Sequence, residues 1–249
     1  MIIKQKNSES SHWYTKTGES AYQVEAKNGE MRATTLRDAR KLDLVPSVTT
    51  ILGVASKPAL NTWLQTQVLL SALTLPRGFQ ESEKDWLERV MADSKVQGKQ
   101  AAERGTAIHG VIESFFEQRH SQEWPEYVHN VDKAITNAFG AQLWNSEKSF
   151  AHELGYGGKI DLSAHNIVVD FKTKETDLAK VEPYHEHEMQ IAAYCVGLGY
   201  KLEECRGAIV FVNGLTNDVK LCEISPDSLK SAWECFTHLL AFYRIKNNI

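Results

Sequence analysis

One stretch, from Gly157 to Lys172, constrains the fold more than any other part of the 249-residue chain. Two runs rich in β-branched residues, 160–164 and 167–173, flank the dipeptide His165-Asn166, which is the candidate turn between them. This pattern predicts an antiparallel β-hairpin. Because the second run is almost entirely apolar apart from two charged residues, it favours a buried and central strand.

Charged residues mark the open end of this predicted hairpin. Asp170 and Lys172 are two residues apart on one strand, so their side chains point to the same face. Asp161 lies early in the first strand, and antiparallel pairing would bring it close to both. Two carboxylates held close together repel, and a divalent cation is the usual remedy. The pattern predicts a metal site, and a solvated Asp-x-Lys ion pair is the alternative.

Composition limits how such a site can be used. The chain is 42% hydrophobic and 24% charged, and its formal net charge is −4. A protein that grips nucleic acid through bulk charge is normally basic, so any contact with nucleic acid must be local or helped by a cation. No apolar run approaches the roughly 20 residues that span a bilayer, and no signal-peptide core is evident. We expect no membrane partner and a cytoplasmic location.

The cysteines set the expected redox chemistry. The four of them, Cys195, Cys205, Cys222 and Cys235, include no CxxC pair. Structural thiols in a reducing cytosol are therefore expected, and a zinc or iron–sulfur site is poorly supported.

The organisation changes along the chain from helices to strands. Residues 1–45 form a predicted N-terminal extension with a small hairpin, 12–14 against 21–25. Residues 46–100 have helical patterns, and residues 101–249 continue with helices and then the order β-β-β-α-β-β-α. The sequence thus predicts one α/β domain, with a central mixed β-sheet flanked by helices and a helical N-terminal half.

Two predicted helices carry further candidates. His109 lies at the edge of an apolar stripe, where it is either a metal ligand or a hydrogen-bonded packing residue. Gln190 and Tyr194 are four residues apart on a later helix and therefore share a face. They are either an interfacial polar pair or part of a site.

Three other features have two interpretations each. Glu147, at the start of a strand, either adds a carboxylate or is exposed. The tract 185–188, His-Glu-His-Glu, resembles a metal-binding tract, but alternate helix residues face apart, which favours helix-start polarity. Trp63 and Trp86 offer stacking platforms for bases or belong to the core.

Four motifs occur in one order along the chain: Gly105-xxx-His109, Gly158-x-x-Asp161, Asp170-x-Lys172 and Gln190-xxx-Tyr194. Together, on a helix, two strands and a helix, they resemble the PD-(D/E)XK nuclease superfamily, specifically its RecB-like exonuclease branch. The segment 46–52 also resembles the one that precedes the nuclease motifs in phage exonucleases and in the mitochondrial genome maintenance exonuclease. The resemblance covers about residues 45–200. Asp161 departs from the superfamily name because no Pro precedes it, a departure common in this branch.

This resemblance implies a restriction-endonuclease-like core over 101–249 and a helical arch over 46–100. It implies a metal-dependent DNA exonuclease that acts on free, single-stranded ends in phage or bacterial replication, recombination or repair. The implied cofactor is Mg²⁺ or Mn²⁺ without an iron–sulfur cluster, and a recombination or replication protein is a candidate partner. A flap- or junction-cutting endonuclease and an inactive DNA-binding module are the alternatives.

The resemblance also implies roles for the residues that match its motifs. His109, Asp161 and Asp170 would bind the metal together with the backbone carbonyl of Phe171. Lys172 would orient or activate the attacking water and stabilise charge on the phosphate.

Further residues would act on the substrate side. Gln190 would be a catalytic residue that positions Lys172 or the DNA strand. Tyr194 would support the helix that carries both residues. The basic residues Arg104 and Lys174 would line the substrate path, although exposed cations are usually only solvated.

Overall fold

A computed structural model describes residues 12–118 and 123–249 of the chain. The strands are β1 Trp13–Tyr14, β2 Gln23–Glu25, β3 Met31–Ala33, β4 Val45–Pro46, β5 Asn145–His152, β6 Tyr156–Ala164, β7 Ile167–Thr173, β8 Arg206–Val212 and β9 Val219–Ile224. The helices are α1 Leu36–Leu42, α2 Val48–Leu52, α3 Pro58–Thr74, α4 Glu83–Asp93, α5 Val96–Gln118, α6 Glu126–Phe139, α7 His185–Gly197 and α8 Pro226–Asn247. A short 3₁₀ turn spans Leu178–Lys180.

The chain forms two compact units. The first contains Met1–Val54 and Ile112–Ile249, and the second contains Ala55–Val111. The second unit holds α3, α4 and most of α5, and Trp86 Nε1 donates a 2.7 Å hydrogen bond to the carbonyl of Leu75 within it. The prediction of a single nuclease domain over 1–249 stays a prediction.

A five-stranded sheet organises the first unit, in the order β5-β6-β7-β8-β9. Only β7 and β8 run parallel, and the other neighbours are antiparallel, so the sheet is mixed. The parallel pair needs a crossover, and α7 provides it. The predicted mixed α/β fold with flanking helices and a helical N-terminal half is confirmed, as is the predicted order of elements from β5 to α8.

Apolar side chains cover both faces of β7 and make it central. Val168, on one face, belongs to a buried cluster that includes residues of α7 and α8, among them Ile191 and Phe236. On the other face the ring of Phe171 stacks with that of Phe116, with centroids 6.5 Å apart. A strand buried on both faces explains the near-continuous apolar run in the sequence.

The turn of the central hairpin is the predicted one. Ala164 pairs with Ile167 across His165-Asn166, and Asn166 adopts a positive φ of 55°. Asn tolerates this left-handed conformation better than most residues.

The turn of the predicted N-terminal hairpin is confirmed, but the strands beyond it have other partners. The amide of Ala21 donates a 2.8 Å hydrogen bond to the carbonyl of Trp13, and a bridge joins Tyr14 to Ser20, while β1 pairs as a strand with β4. β2 pairs instead with β3. Trp13 and Tyr14 are both buried, and the partner strand that lies beside the core is β4, a nonlocal choice that local patterns do not encode.

Two cysteines differ from the thiols expected. Cys195 on α7 and Cys205 before β8 are joined as a disulfide, and both are buried. The expectation of four thiols is therefore wrong for this pair, which the fold brings together across a short loop. Cys222 and Cys235 are free. Among the described residues, no helix is long and apolar enough to cross a bilayer.

Candidate functional site

The C-terminal half of β7 carries an ion pair whose carboxylate is buried. Asp170 and Lys172 lie on one face of the strand, as predicted, and Lys172 Nζ is 2.6 Å from Asp170 Oδ2. The Asp170 side chain is only 3% exposed. Burial of a carboxylate is costly unless it is paired, so this pair is unlike a solvated surface contact.

Asp161 joins the pair because the β6–β7 ladder stops short. Backbone pairing runs from Ala164–Ile167 to Leu162–Val169. Beyond that point the Asp161 carboxylate replaces a backbone acceptor, and the amide of Phe171 donates to its Oδ2 at 2.8 Å. The two carboxylates thus stand on neighbouring strands at the open end of the hairpin.

Gln190 on α7 ties the strand to the helix. Its Oε1 accepts a 3.1 Å hydrogen bond from Lys172 Nζ, while its Nε2 donates to Asp170 Oδ1 at 2.8 Å. The same Nε2 lies 3.0 Å from the hydroxyl of Tyr194, one turn further along the helix. A single buried amide therefore fixes both members of the ion pair.

Gly158 makes room for Tyr194. A Cβ atom on Gly158 would lie 2.7 Å from Tyr194 Cε1 and 2.9 Å from Phe150 Cε1. Both rings are buried, so neither can swing away freely. The glycine is required by this close approach, and it indirectly sets the position of Gln190.

Burial and neighbouring charges shift the pKa values of the cluster's side chains. Burial, and then the neighbouring Asp170 carboxylate, raise the pKa of Asp161 to about 7. Burial by itself would lower the pKa of Lys172, but the Asp170 and Asp161 carboxylates outweigh it and the pKa is raised. Lys172 is therefore an ammonium at neutral pH. The pKa of Tyr194 is also raised by burial and by the two carboxylates, so its hydroxyl stays neutral.

The donor set fits a hard divalent cation. Asp170 Oδ2 is buried, and the Lys172 ammonium lies 2.6 Å from it. A second carboxylate with a raised pKa stands close by. Carboxylate oxygens are ligands that Mg²⁺ and Mn²⁺ prefer. No group of three or more His, Cys, Asp or Glu side chains able to hold a metal occurs within residues 12–118 and 123–249.

His187 belongs beside the cluster, which sequence reasoning missed. The sequence predicts helix-start polarity for the tract 185–188, and this holds for His185, whose Nδ1 is 2.9 Å from Glu188 Oε2 on the surface. His187 is instead only 6% exposed, and its Nδ1 accepts a 3.1 Å hydrogen bond from the amide of Tyr184. Burial, and then the nearby Lys172 ammonium, lower the pKa of His187 to about 4. Its position three residues before Gln190, on the same helix face, was the available signal.

Glu147 and Lys159 form an ion pair beside Asp161. Glu147 is half-buried and not exposed, and it adopts a positive φ of 53° opposite Asp161, where the β5–β6 pairing is interrupted. The Lys159 ammonium acts to lower the pKa of Asp161. Glu147 is thus engaged by a lysine.

The remaining sequence-predicted residues lie elsewhere. Lys174 follows β7, and its ammonium lies 5.4 Å from the ring centre of Tyr184. Arg104 and His109 lie on α5 in the second compact unit. Their roles stay predictions.

Comparisons with known proteins give weak likenesses. The crystal structure of SSO0001 is similar with a TM-score of 0.32 and 14% identity, over 73% of this chain and 86% of that one. An alkaline exonuclease, LHK-Exo from Laribacter hongkongensis, is similar with a TM-score of 0.40 and 13% identity, over 76% of this chain and 94% of that one. No protein-family model matches the sequence, and no curated protein matches it.

Proposed function

We propose that this protein is a divalent-metal-dependent nuclease, and specifically a DNA exonuclease that acts on free, single-stranded ends. The observation that supports this most is the buried cluster at the open end of the β6–β7 hairpin. It combines two carboxylates on neighbouring strands with an ammonium that is 2.6 Å from one of them and is held by Gln190. Two carboxylates can bind a divalent cation, and the cation and the ammonium can together bind the phosphates of a polyanionic substrate.

The carboxylates of Asp161 and Asp170, with the backbone carbonyl of Phe171, are the proposed ligands for Mg²⁺ or Mn²⁺. His109 is the proposed additional ligand, and its imidazole would favour Mn²⁺. When bound, the ion supplies an acidified water and a positive charge for the phosphate oxygens.

Lys172 is the proposed partner of the reacting phosphate. In phosphodiester hydrolysis a water molecule gives up a proton to solvent as its oxygen bonds to phosphorus, the bond to one sugar oxygen breaks, and that oxygen takes up a proton from solvent. Because its pKa is raised, Lys172 donates hydrogen bonds and does not accept the water's proton. Its ammonium would therefore orient the water and stabilise the charge that grows on the phosphate oxygens.

Gln190 would preserve this geometry during turnover. It holds the Lys172 ammonium through Oε1 and Asp170 through Nε2. Tyr194 in turn accepts from Nε2, so the amide orientation is fixed. Preorganised groups of this kind require no rearrangement when charge develops.

The preference for ends is proposed from residues 46–100, which would form an arch that admits a free strand. Arg104 and Lys174 are the proposed basic residues along the strand's path. We propose a role in phage or bacterial replication, recombination or repair, in the cytoplasm, with a replication or recombination protein as a partner.

A comparison of circular and linear single strands tests the proposal. We expect Mn²⁺ or Mg²⁺ to support loss of an end-labelled linear strand and EDTA to stop it, while a closed circle of the same sequence survives. Lys172→Ala should be inactive, and Lys201→Ala, which alters an exposed lysine paired with Glu204, should match the wild type. Equal loss of circles would establish an endonuclease, and absence of cleavage with either metal would contradict a nuclease.

A further inference from the structure

A concave surface away from the carboxylate cluster lies in the N-terminal part of the first unit. The hairpin β2–β3 and helix α1 enclose a cavity of about 850 Å³. We call it the N-terminal groove, and it is lined by cations from two elements, aliphatic side chains and two carboxylates. The cations are Lys27, Arg32, Arg37 and Lys41.

One ion pair holds the floor of the groove. Arg32 binds Asp38 in a bidentate contact, with Nη1 2.6 Å from Oδ2 and Nη2 2.8 Å from Oδ1. Asp38 also caps α1 with Thr35, and the pair keeps the pKa of Asp38 well below its usual range. This carboxylate is therefore engaged and does not repel an incoming anion as a free one would.

Three cations remain available around the rim. Lys27 lies at the β2–β3 turn, and Arg37 and Lys41 are four residues apart on α1, so they share a face. All three are exposed, and none has an ion-pair partner within the part of the chain that the structure describes. Against them stands the single carboxylate of Glu25. The groove is thus locally positive in a chain whose net charge is −4.

The walls complement the rim. Val24, Ala26 and Leu42 present aliphatic surface between the cations. A single nucleic-acid strand offers phosphates at regular spacing and apolar sugar and base faces between them, so it matches both features. An acidic peptide would match the cations but would leave the aliphatic walls without apolar contact.

We propose that the N-terminal groove binds the backbone of a single nucleic-acid strand through Lys27, Arg37 and Lys41. This inference rests on the proposed nuclease function and deepens it by assigning a strand-binding surface outside the carboxylate cluster. The chain connects the two places directly. α1 leads into β4, and Ser47, which follows β4, bridges to Gly157, four residues before Asp161.

Binding to a fluorescein-labelled oligo-dT strand tests this without turnover. The parent is Lys172→Ala, in which the groove is intact, and the test variant adds Lys27→Gln, Arg37→Gln and Lys41→Gln. Arg32 is left in place because it supports the start of α1. We expect anisotropy to show binding weakened by about tenfold or more, and a salt slope of log K reduced by about 2.

A matched control removes three other exposed cations, Lys133→Gln, Lys230→Gln and Lys246→Gln, from α6 and α8. It should bind like the parent. Equal weakening in the control would overturn the proposal in favour of bulk charge, and unchanged binding in the groove variant would overturn it outright. Displacement of the strand by poly-glutamate as readily as by unlabelled oligo-dT would indicate an acidic protein as the occupant and would also overturn it.

Cleavage by the otherwise wild-type enzyme separates this inference from the proposed function. If the groove binds substrate, the triple groove variant should show a raised KM with kcat preserved. If the triple groove variant is active and its KM is unchanged, the groove proposal is contradicted and the nuclease proposal is not. If the wild-type enzyme cleaves nothing while the Lys172→Ala parent still binds the strand through the groove, the nuclease proposal is contradicted and the groove proposal is not.

Discussion

The two ends of one sheet carry charged pairs of opposite character. At the C-terminal end of β7, Lys172 and Asp170 are enclosed under α7 and share Gln190. At the opposite end, Arg206 of β8 binds Glu223 of β9 through contacts of 2.8 Å, and both side chains are more than 40% exposed. The two pairs have similar distances but different surroundings.

The difference is one of desolvation. The Arg206–Glu223 pair stays in water, where such contacts contribute little beyond geometry. In the Lys172–Asp170 pair the carboxylate is 3% exposed and the lysine side chain 27%, and a second carboxylate stands beside them, so the cost of desolvation offsets much of the attraction. The cluster that contains two carboxylates, one of them buried in this ion pair, is therefore the one to which function is assigned.

The largest effect is expected at Lys172. Its replacement by Ala removes the only ammonium that Gln190 holds within the described residues, and we expect cleavage to fall by about 10³-fold or more, or about 4 kcal/mol of transition-state stabilisation. Single-turnover cleavage of a labelled strand measures this. A variant with a rate near that of the wild type would remove Lys172 from the mechanism.

The next effect concerns packing behind the site. Gly158→Ala places a Cβ against the rings of Tyr194 and Phe150, and we expect a loss of about 2–3 kcal/mol in the free energy of unfolding. The control is Gly110→Ala, where a Cβ meets nothing within 4 Å, so stability should hold or rise by up to about 1 kcal/mol. Equal urea midpoints for the two variants would show that Tyr194 is not held by this contact.

A smaller effect depends on pH. In the folded state the pKa of Asp161 is raised to about 7. Between about pH 4 and 7 the folded protein therefore holds a proton on Asp161, whereas the unfolded chain has released it. Without metal, its contribution to stability is therefore present at low pH and is lost as pH rises through the folded pKa. Asp161→Asn should accordingly be more stable relative to wild type at about pH 8 than at about pH 5, by on the order of 2 kcal/mol.

Chemical denaturation in EDTA at the two pH values measures this difference. The variant keeps an oxygen that can accept the Phe171 amide, so the hydrogen bond is not what changes. A difference in stability between variant and wild type that does not change with pH would show that neither burial nor Asp170 raises the pKa of Asp161.

The smallest effect is expected at the opposite end of the sheet. Arg206→Ala loses an exposed pair and a contact with the ring of Phe139, whose centroid is 4.5 Å from the guanidinium carbon. We expect about 0.5–1 kcal/mol of lost stability and unchanged cleavage. A loss of cleavage in this variant would contradict the assignment of function to the Lys172–Asp170 end of the sheet alone.

The sequence predicted the site where local rules sufficed. Period-two alternation placed Asp170 and Lys172 on one face, and the turn at His165-Asn166 set the register that brings Asp161 near them. Helical spacing likewise put Gln190 and Tyr194 together. These features follow from residues close in sequence.

Other features depend on nonlocal packing and were out of reach. The ladder ends after Leu162–Val169 so that a side chain serves as acceptor, which no alternation pattern encodes. His187 is buried by tertiary contacts although its neighbours are polar. The pairing of β1 with β4 joins residues more than 30 positions apart, and short strands of this kind have no local signature.

The most direct test of the account is a calorimetric titration of the protein with Mn²⁺ at about pH 8, above the raised pKa of Asp161. Wild type and Arg206→Ala should bind the ion alike, whereas Asp170→Asn should bind it at least about tenfold more weakly, because a charged ligand is lost. Equal affinity in all three proteins, or no binding by the wild type, would contradict the claim that the end of β7 holds a catalytic cation.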